Sequence, residues 1–342
     1  MTQALHEALW RDEEISRLFS AEAELAAMLD YEVALAKAQA ESGLITPDAA
    51  SAICRLRASF IVDRDKLLSG IKRDGMAVPE LVRQLRDALP ESHRDALHLR
   101  STSQDVIDTA LTLRLKPVLA LYEKRLNNIL AAIDRLDGEY GALTQMGRTR
   151  MQRALPVRVS DRLATWRTPL KRHLDRLAVL APHLLVLQTG GPVGIDRGPW
   201  VAALGRELDL GVAPEGWQTA RDNLAEFASW LSLVSGTLGK IGQDIALMAQ
   251  NEIGEVKIEG AGTSSAMHHK QNPVQAELLV AMARFNATQV SGIHHALIHE
   301  QERSGAAWAL EWMILPGMIE TTAAALAMTT DLLGRIRFQA GK

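Results

Sequence analysis

Residues 262–273, GTSSAMHHKQNP, gather hydroxyls, imidazoles, an ammonium and a carboxamide between a glycine and a proline. Three readings are open to that mixture: a polar linker, a metal site, or one wall of an active site. A serine without an evident base still moves protons when backbone N–H groups and a nearby ammonium stabilise its alkoxide. Ser264 and Ser265, with Lys270 downstream, are candidates on that ground. Metal ligation is the weaker reading. The adjacent His268 and His269 chelate poorly, and no HExxH pattern occurs. His295 and His299 form an i, i+4 pair, more simply read as surface or core histidines of a helix.

Two further polar segments interrupt an otherwise apolar chain: HLRSTSQD (98–105) and GRTRMQRALP (147–156). Each allows a bland account. Ser101–Gln104 fit a helix cap, and Arg148, Arg150 and Arg153 fit solvated surface charges. They also allow a functional one. Thr102, Ser103 and Gln104 lie where the free N–H groups and partial positive charge of a helix N-terminus hold a carboxylate. Arg148, Lys270 and Arg303 would supply countercharge, and Asn272 a neutral donor. Gly190, Gly191 and Gly194 follow no strand and lack the dinucleotide spacing, so they read as turn glycines.

These segments need a scaffold. The 342 residues are 47% apolar but only 4% aromatic, a balance that favours helices over strands. Residues 21–42 carry apolar side chains at helical spacing, ended by Gly43, with Pro47 starting the next helix. A short helix is expected over 79–89. Ser103 is the expected N-cap of a very long one reaching about Asp137, kinked near 113–117 by Pro117. Helical periodicity returns over 160–188, 218–251, 273–299 and 305–336, and 189–200 is a Gly/Pro-rich turn region. Residues 224–250 are apolar nearly all round, with Gly236, Gly239 and Gly242 permitting close approach. Such a helix is buried, here between subunits of an obligate oligomer. No alternating run is long enough for a substantial sheet. The three glycines of 254–262 lead to an expectation of mobility there.

A net charge of −3 and a pI near 6.4 give no electrostatic reason to expect nucleic acid or an anionic membrane as partner. No long uncharged apolar run suggests a membrane span. Cys54 is alone and reads as a core thiol, and the acidic start MTQALHEALWRDEE does not read as a signal peptide, so a cytoplasmic protein is expected.

Taken together, the segments carry more than each does alone. GTSSAMHHKQNP resembles the signature loop of the fumarase/aspartase superfamily, GSSxMPxKxNP. TSQDVIDTA (102–110) and GRTRMQRALP are similar to that superfamily's first and second conserved regions, in the same order. Within it, FSAEAELAAMLDYEVALAKAQAESGLI, MAVPELVRQLRDAL and ERSGAAWALEW resemble the bacterial 3-carboxy-cis,cis-muconate cycloisomerases, over about residues 15–335. The resemblance implies an all-α fold with an N-terminal helical domain (1–103) and a central long-helix bundle (104–342). It also implies a homotetramer with a shared helical core, in which each active site draws on three subunits. The superfamily's third, C-terminal domain is expected to be truncated or absent. No metal or organic cofactor is implied.

The implied substrate is a small polycarboxylate, lactonised when one of its carboxylates attacks an alkene carbon of the same molecule. By position, Ser264 matches the catalytic serine, the proton donor in lactonisation. Lys270 and Asn272 match the residues that hold and polarise a substrate carboxylate. Thr102, Ser103 and Gln104 match the first region's carboxylate ligands, and Thr149 and Gln152 the second region's. Arg303 resembles an arginine that closes over substrate in relatives. The chain departs from the pattern at two positions. Arg150 stands where amine-releasing lyases carry a histidine, and His268 stands where proline is usual. Together with Arg153, these departures mark a modified substituent pocket, suited to another acid, such as a sulfonate, in place of the 3-carboxylate. A fumarate-releasing lyase and a non-catalytic helical oligomer are the alternatives.

Overall fold

The computed structural model describes residues 5–263, 267 and 271–340. Helices dominate. A short α1 (Glu13–Leu18) precedes α2 (Ala21–Glu41), α3 (Pro47–Ser59), α4 (Arg64–Asp74) and α5 (Val78–Asp87). Side-chain caps start most of them: Asp12, Ser20, Thr46 and Asp63 each accept a backbone N–H of the first turn. Pro47 then occupies a first-turn position where its missing N–H costs nothing.

The longest helix, α6 (Ser103–Tyr140), has 38 residues and spans about 57 Å. It runs through Pro117 without a break in its helical assignment. Its N-cap is Thr102, one residue before the position expected from sequence. A β-hairpin follows, β1 (Thr144–Thr149) pairing antiparallel with β2 (Gln152–Arg158). Beyond it come α7 (Val159–Leu184), α8 (Trp200–Leu208), α9 (Asp222–Met248), α10 (Val274–His295) and α11 (Ala306–Arg335). Short strands complete the chain: β3 (Val256–Ile258), β4 (Gly262–Thr263) and β5 (Gln271–Asn272), with β6 (Ile336–Phe338) after α11.

Apolar packing forms two cores. One joins α2, α3, α5 and α8 to the first turns of α6 through Val106, Ile107 and Ala110. The other joins the rest of α6 to α7, α9, α10 and α11 around Tyr122, Trp166, Phe227 and Trp230. α6 is therefore shared, and its N-terminal turns lie where the two cores meet. α9 and α10 approach closely because Gly239 and Gly242 face α10. A Cβ there would stand 2.5 Å from the Ala283 Cβ and 2.5 Å from the Ala276 carbonyl oxygen. Gly236 meets nothing within 4 Å, so of the three glycines it does not serve this contact.

Two expectations are corrected. Residues 256–258, within the glycine-containing stretch expected to be mobile, form β3 and pair with β6, burying Val256 and Ile258. Residues 144–158, expected as a break between helices, form a hairpin instead. It is too short for alternation to announce, and it is exposed along most of β2 and half-buried over residues 146–148 of β1. No helix among the described residues is long and apolar enough to cross a membrane.

Candidate active site

The N-terminus of α6 is held by side chains on every side. Asp105, in its first turn, accepts the Thr102 N–H at 3.1 Å, the Gly191 N–H at 3.0 Å and the Gln188 amide at 3.2 Å. Burial pushes its carboxyl up to about 6, because these hydrogen bonds only partly offset the loss of solvent. Gly191 and Gly194, with φ of 65° and 81°, turn the chain so that this N–H can point at Asp105; they are turn glycines, as their spacing suggests.

The preceding segment is strained and anchored. His98 and Arg100 both have positive φ, 61° and 55°, an unfavourable backbone for a side chain carrying a Cβ. Buried groups of α2 hold the segment there. Glu32 meets His98 Nδ1 at 2.6 Å, Tyr31 meets the Ser101 hydroxyl at 3.0 Å, and the Gln39 amide donates to the Leu99 carbonyl at 2.7 Å. Burial disfavours the His98 imidazolium, but the charge of Glu32 and its hydrogen bond outweigh that and raise its pKa above the usual histidine value. Arg100 pairs with Asp196 and lies 4.6 Å over the Trp200 ring, tying this segment to the start of α8.

Arg303 meets this end of α6. Its Nη2 donates to the Thr102 hydroxyl at 2.7 Å and to the Pro192 carbonyl at 3.3 Å. Its buried Nε has no partner among the described residues. Ser103, the next residue after Thr102 and half-buried, has no side-chain hydrogen bond among the described residues. The fold thus brings Thr102 and its neighbour Ser103 to Arg303, 201 positions beyond Thr102 in sequence. A helix N-terminus, a hydroxyl and a guanidinium Nε without partners among the described residues form a corner whose chemistry suits a carboxylate.

Gln104 is placed differently. It is fully buried, and its amide donates inward, to Asp108 at 3.1 Å and the Gln218 carbonyl at 2.7 Å. Below it lies a charged cluster that sequence reading missed. The Arg221 guanidinium bonds both Asp108 oxygens, at 2.6 and 3.1 Å, and both Glu311 oxygens, at 2.9 and 2.5 Å. Trp308 Nε1 donates to Asp108 at 3.1 Å, and His299 Nε2 stands 3.5 Å from Glu311. Despite burial, the two carboxylates hold the Arg221 pKa above its usual value. Burial alone would raise the Glu311 carboxyl, but His299 and Arg221 bring it below the usual range. The available signal was a lone charge inside apolar helical sequence: Asp108 in VIDTALTL and Glu311 in AAWALEWMIL. α10 ends at His295, so His299 lies off that helix and beside Glu311; the two histidines do not form an i, i+4 pair on one helix.

The second polar segment occupies the hairpin. Thr149 and Gln152 pair across a two-residue turn, Arg150–Met151, with φ of 50° and 67°. Such turns favour Asn and Gly, so this tip is held in a conformation its residues do not prefer. Arg148, one pair away from the turn, donates at 2.6 Å to Glu255, a buried carboxylate that also meets Arg162 at 3.2 Å. Arg150 and Arg153 are exposed and have no ion pair among the described residues. No hydrogen bond or ion pair among the described residues joins this hairpin to the α6 corner. Asn272 lies in β5, paired with Gly262. Ser264, Ser265, His268, His269 and Lys270 lie outside the described residues.

Comparison with known proteins agrees with this architecture. A family model described as lyase matches residues 9–292. The 3-carboxy-cis,cis-muconate cycloisomerase of Acinetobacter baylyi is 36% identical over 96% of this chain and 76% of its own length. That of Pseudomonas aeruginosa is 37% identical over 92% and 72%. The crystal structure of the 3-carboxy-cis,cis-muconate lactonizing enzyme from Pseudomonas putida superposes with a TM-score of 0.93 at 34% identity, covering 99% of this chain and 78% of that one. With its long helices, its motif segments in order and these relatives, the chain belongs to the lyase family of the fumarase/aspartase superfamily.

Proposed function

We propose that this protein is a cycloisomerase that lactonises 3-carboxy-cis,cis-muconate without a cofactor. The observation that carries the reading is the Arg303–Thr102 contact at the N-terminus of α6, a carboxylate-binding corner in a chain about one-third identical to enzymes of that activity. In the reaction a substrate carboxylate oxygen bonds to an alkene carbon, and the π electrons move to the neighbouring carbon. They delocalise into its carboxylate as an aci-carboxylate, and a proton then completes the C–H bond. Because the nucleophile is internal, holding the diene in a reactive conformation supplies part of the ~7–11 kcal/mol available to well-oriented reactions. Donors facing the developing aci-carboxylate supply more, roughly 10²–10³ in rate for one well-placed group. Ser264 is the proposed proton donor. Lys270 and Asn272 polarise a carboxylate, and Thr102, Ser103 and Arg303 hold another. Gln104 contributes through its amide's hold on the site's frame.

We also propose a homotetramer with shared sites. Two features support it. The hairpin bearing Thr149, Arg150 and Gln152 makes no polar contact with the α6 corner among the described residues, and the bundle leaves Leu233, Phe285 and Met313 43–79% exposed. A second copy would bring the hairpin to the corner and cover those side chains.

Following the loss of diene absorbance on adding 3-carboxy-cis,cis-muconate tests the activity. Ser264→Ala should lower kcat by about a hundredfold or more; near-wild-type turnover would remove the serine assignment. Arg150 and Arg153, without an ion pair among the described residues, favour one variation, a substrate with a sulfonate in place of the 3-carboxylate. Turnover of 3-sulfomuconate in the same assay decides it, and inactivity would discard it.

A further inference from the structure

We infer that Gln218 is a positioning residue that sets Arg303 against the N-terminus of α6. It is 3% exposed and touches both sides of the corner. Its backbone carbonyl accepts the Gln104 amide at 2.7 Å, inside the first turn of α6. Its side-chain amide donates at 2.5 Å to the carbonyl of Glu302, the residue before Arg303.

The segment between α10 and α11 needs such a hold. It is a ten-residue connection, 296–305, whose Gln301 has a φ of 51°. The Ser304 hydroxyl caps the Ala307 N–H at 3.2 Å on the far side of Arg303, leaving the Glu302 carbonyl as the anchor on the near side. Three residues beyond Gln218, Arg221 binds Asp108 of α6 and Glu311 of α11, so the segment carrying Gln218 is itself fixed to both helices. Without the Gln218 amide the Glu302 carbonyl loses its partner, and Arg303 loses the restraint that keeps Nη2 on Thr102 and leaves Nε unspent. The effect falls on substrate capture rather than on the proton-transfer step, because the Gln218 amide nitrogen donates to the Glu302 carbonyl and so acts through Arg303.

This inference rests on the reading of Arg303 as a substrate-carboxylate ligand, and the experiment separates the two. Steady-state kinetics on the full chain with 3-carboxy-cis,cis-muconate would compare wild type, Gln218→Met, Arg303→Ala and the double variant. Methionine keeps the volume and removes the donor. Gln218→Met should raise KM about tenfold with kcat within about threefold, and the double variant should be no worse than Arg303→Ala alone. A KM for Gln218→Met within about twofold of wild type, beside a raised KM for Arg303→Ala, overturns the inference and leaves Arg303 as a ligand. Additive losses in the double variant also overturn it, since Gln218 would then act elsewhere. An unchanged KM for Arg303→Ala overturns the underlying reading instead. If the Met variant does not fold, Gln218→Asn, one methylene too short to reach Glu302, replaces it with the same expected outcomes.

Discussion

The N-terminal corner of α6 and the β1–β2 hairpin both carry residues matched to the superfamily's conserved regions, yet they are built in opposite ways. The corner is buried and closed on itself: Asp105, Asp108, Arg221 and Glu311 spend their charges on one another and on backbone groups. The hairpin is tied to the body by the Arg148 and Arg162 ion pairs with Glu255, and its outer side is exposed, with Met151 at the tip and Leu155 in β2 each 74% accessible. A corner of this kind is preorganised within a single chain, which suits the binding of a carboxylate without reorganisation. A hairpin of this kind spends little on its own stability and presents its side chains outward. The two regions should therefore respond differently to substitution.

The largest expected difference comes from Arg221. Arg221→Met leaves Asp108 and Glu311 buried without their shared cation and should cost about 3–5 kcal/mol of stability, measured by urea unfolding. Replacing the exposed Arg150 or Arg153 by glutamine should change stability by less than about 0.5 kcal/mol. Equal losses would erase the contrast.

A smaller effect is expected from Asp105. Burial raises its folded-state pKa to about 6, above the ordinary 3.8, so the folded chain holds this proton more tightly than the unfolded one. The stability this provides is complete below about pH 3.8 and is lost as pH rises through about 6, a change of about 2–3 kcal/mol. Asp105→Asn should remove that slope from unfolding curves measured at about pH 4.5 and about pH 6.5, although its midpoint falls with the lost hydrogen bonds. An unchanged slope would mean that the titration of Asp105 is not its source.

The smallest effect belongs to the hairpin tip. Met151→Gly relieves a left-handed backbone at the expense of a more flexible unfolded chain, and should stabilise the protein by about 0.5–1 kcal/mol. Thermal unfolding checks the sign. A destabilisation would show that a neighbouring copy buries the Met151 side chain, and the hairpin would then be as tightly held as the corner.

Much of this fold could be read from residue order. α2, α5, α9, α10 and α11 lie close to where helical periodicity places them, because an apolar stripe repeating every three to four residues has few other stable arrangements. α1, α4 and α8 were missed: each is 11 residues or shorter, and polar or Gly/Pro-rich neighbours mask its period. The hairpin was missed as strand because its side chains are mostly exposed or half-buried and show no alternation. At the site, Thr102, Ser103 and Arg303 were legible because their types and neighbours form a pattern. Gln218, Arg221 and Glu311 were not, because their role depends on which side chains meet in space.

The sequence by itself determined that the chain is helical, which segments carry polar chemistry, and to which superfamily they belong. Local propensity and a motif of fixed spacing are properties of order along the chain. Only the tertiary structure decided which of those polar groups remain unspent. Thr102 turns its hydroxyl to Arg303, Gln104 turns inward, and Arg148 pairs with Glu255 while Arg150 has no ion pair among the described residues. Charge and hydrogen-bonding capacity are consumed by whichever partner lies within about 3 Å, and for these residues the partner is up to 201 positions away in sequence.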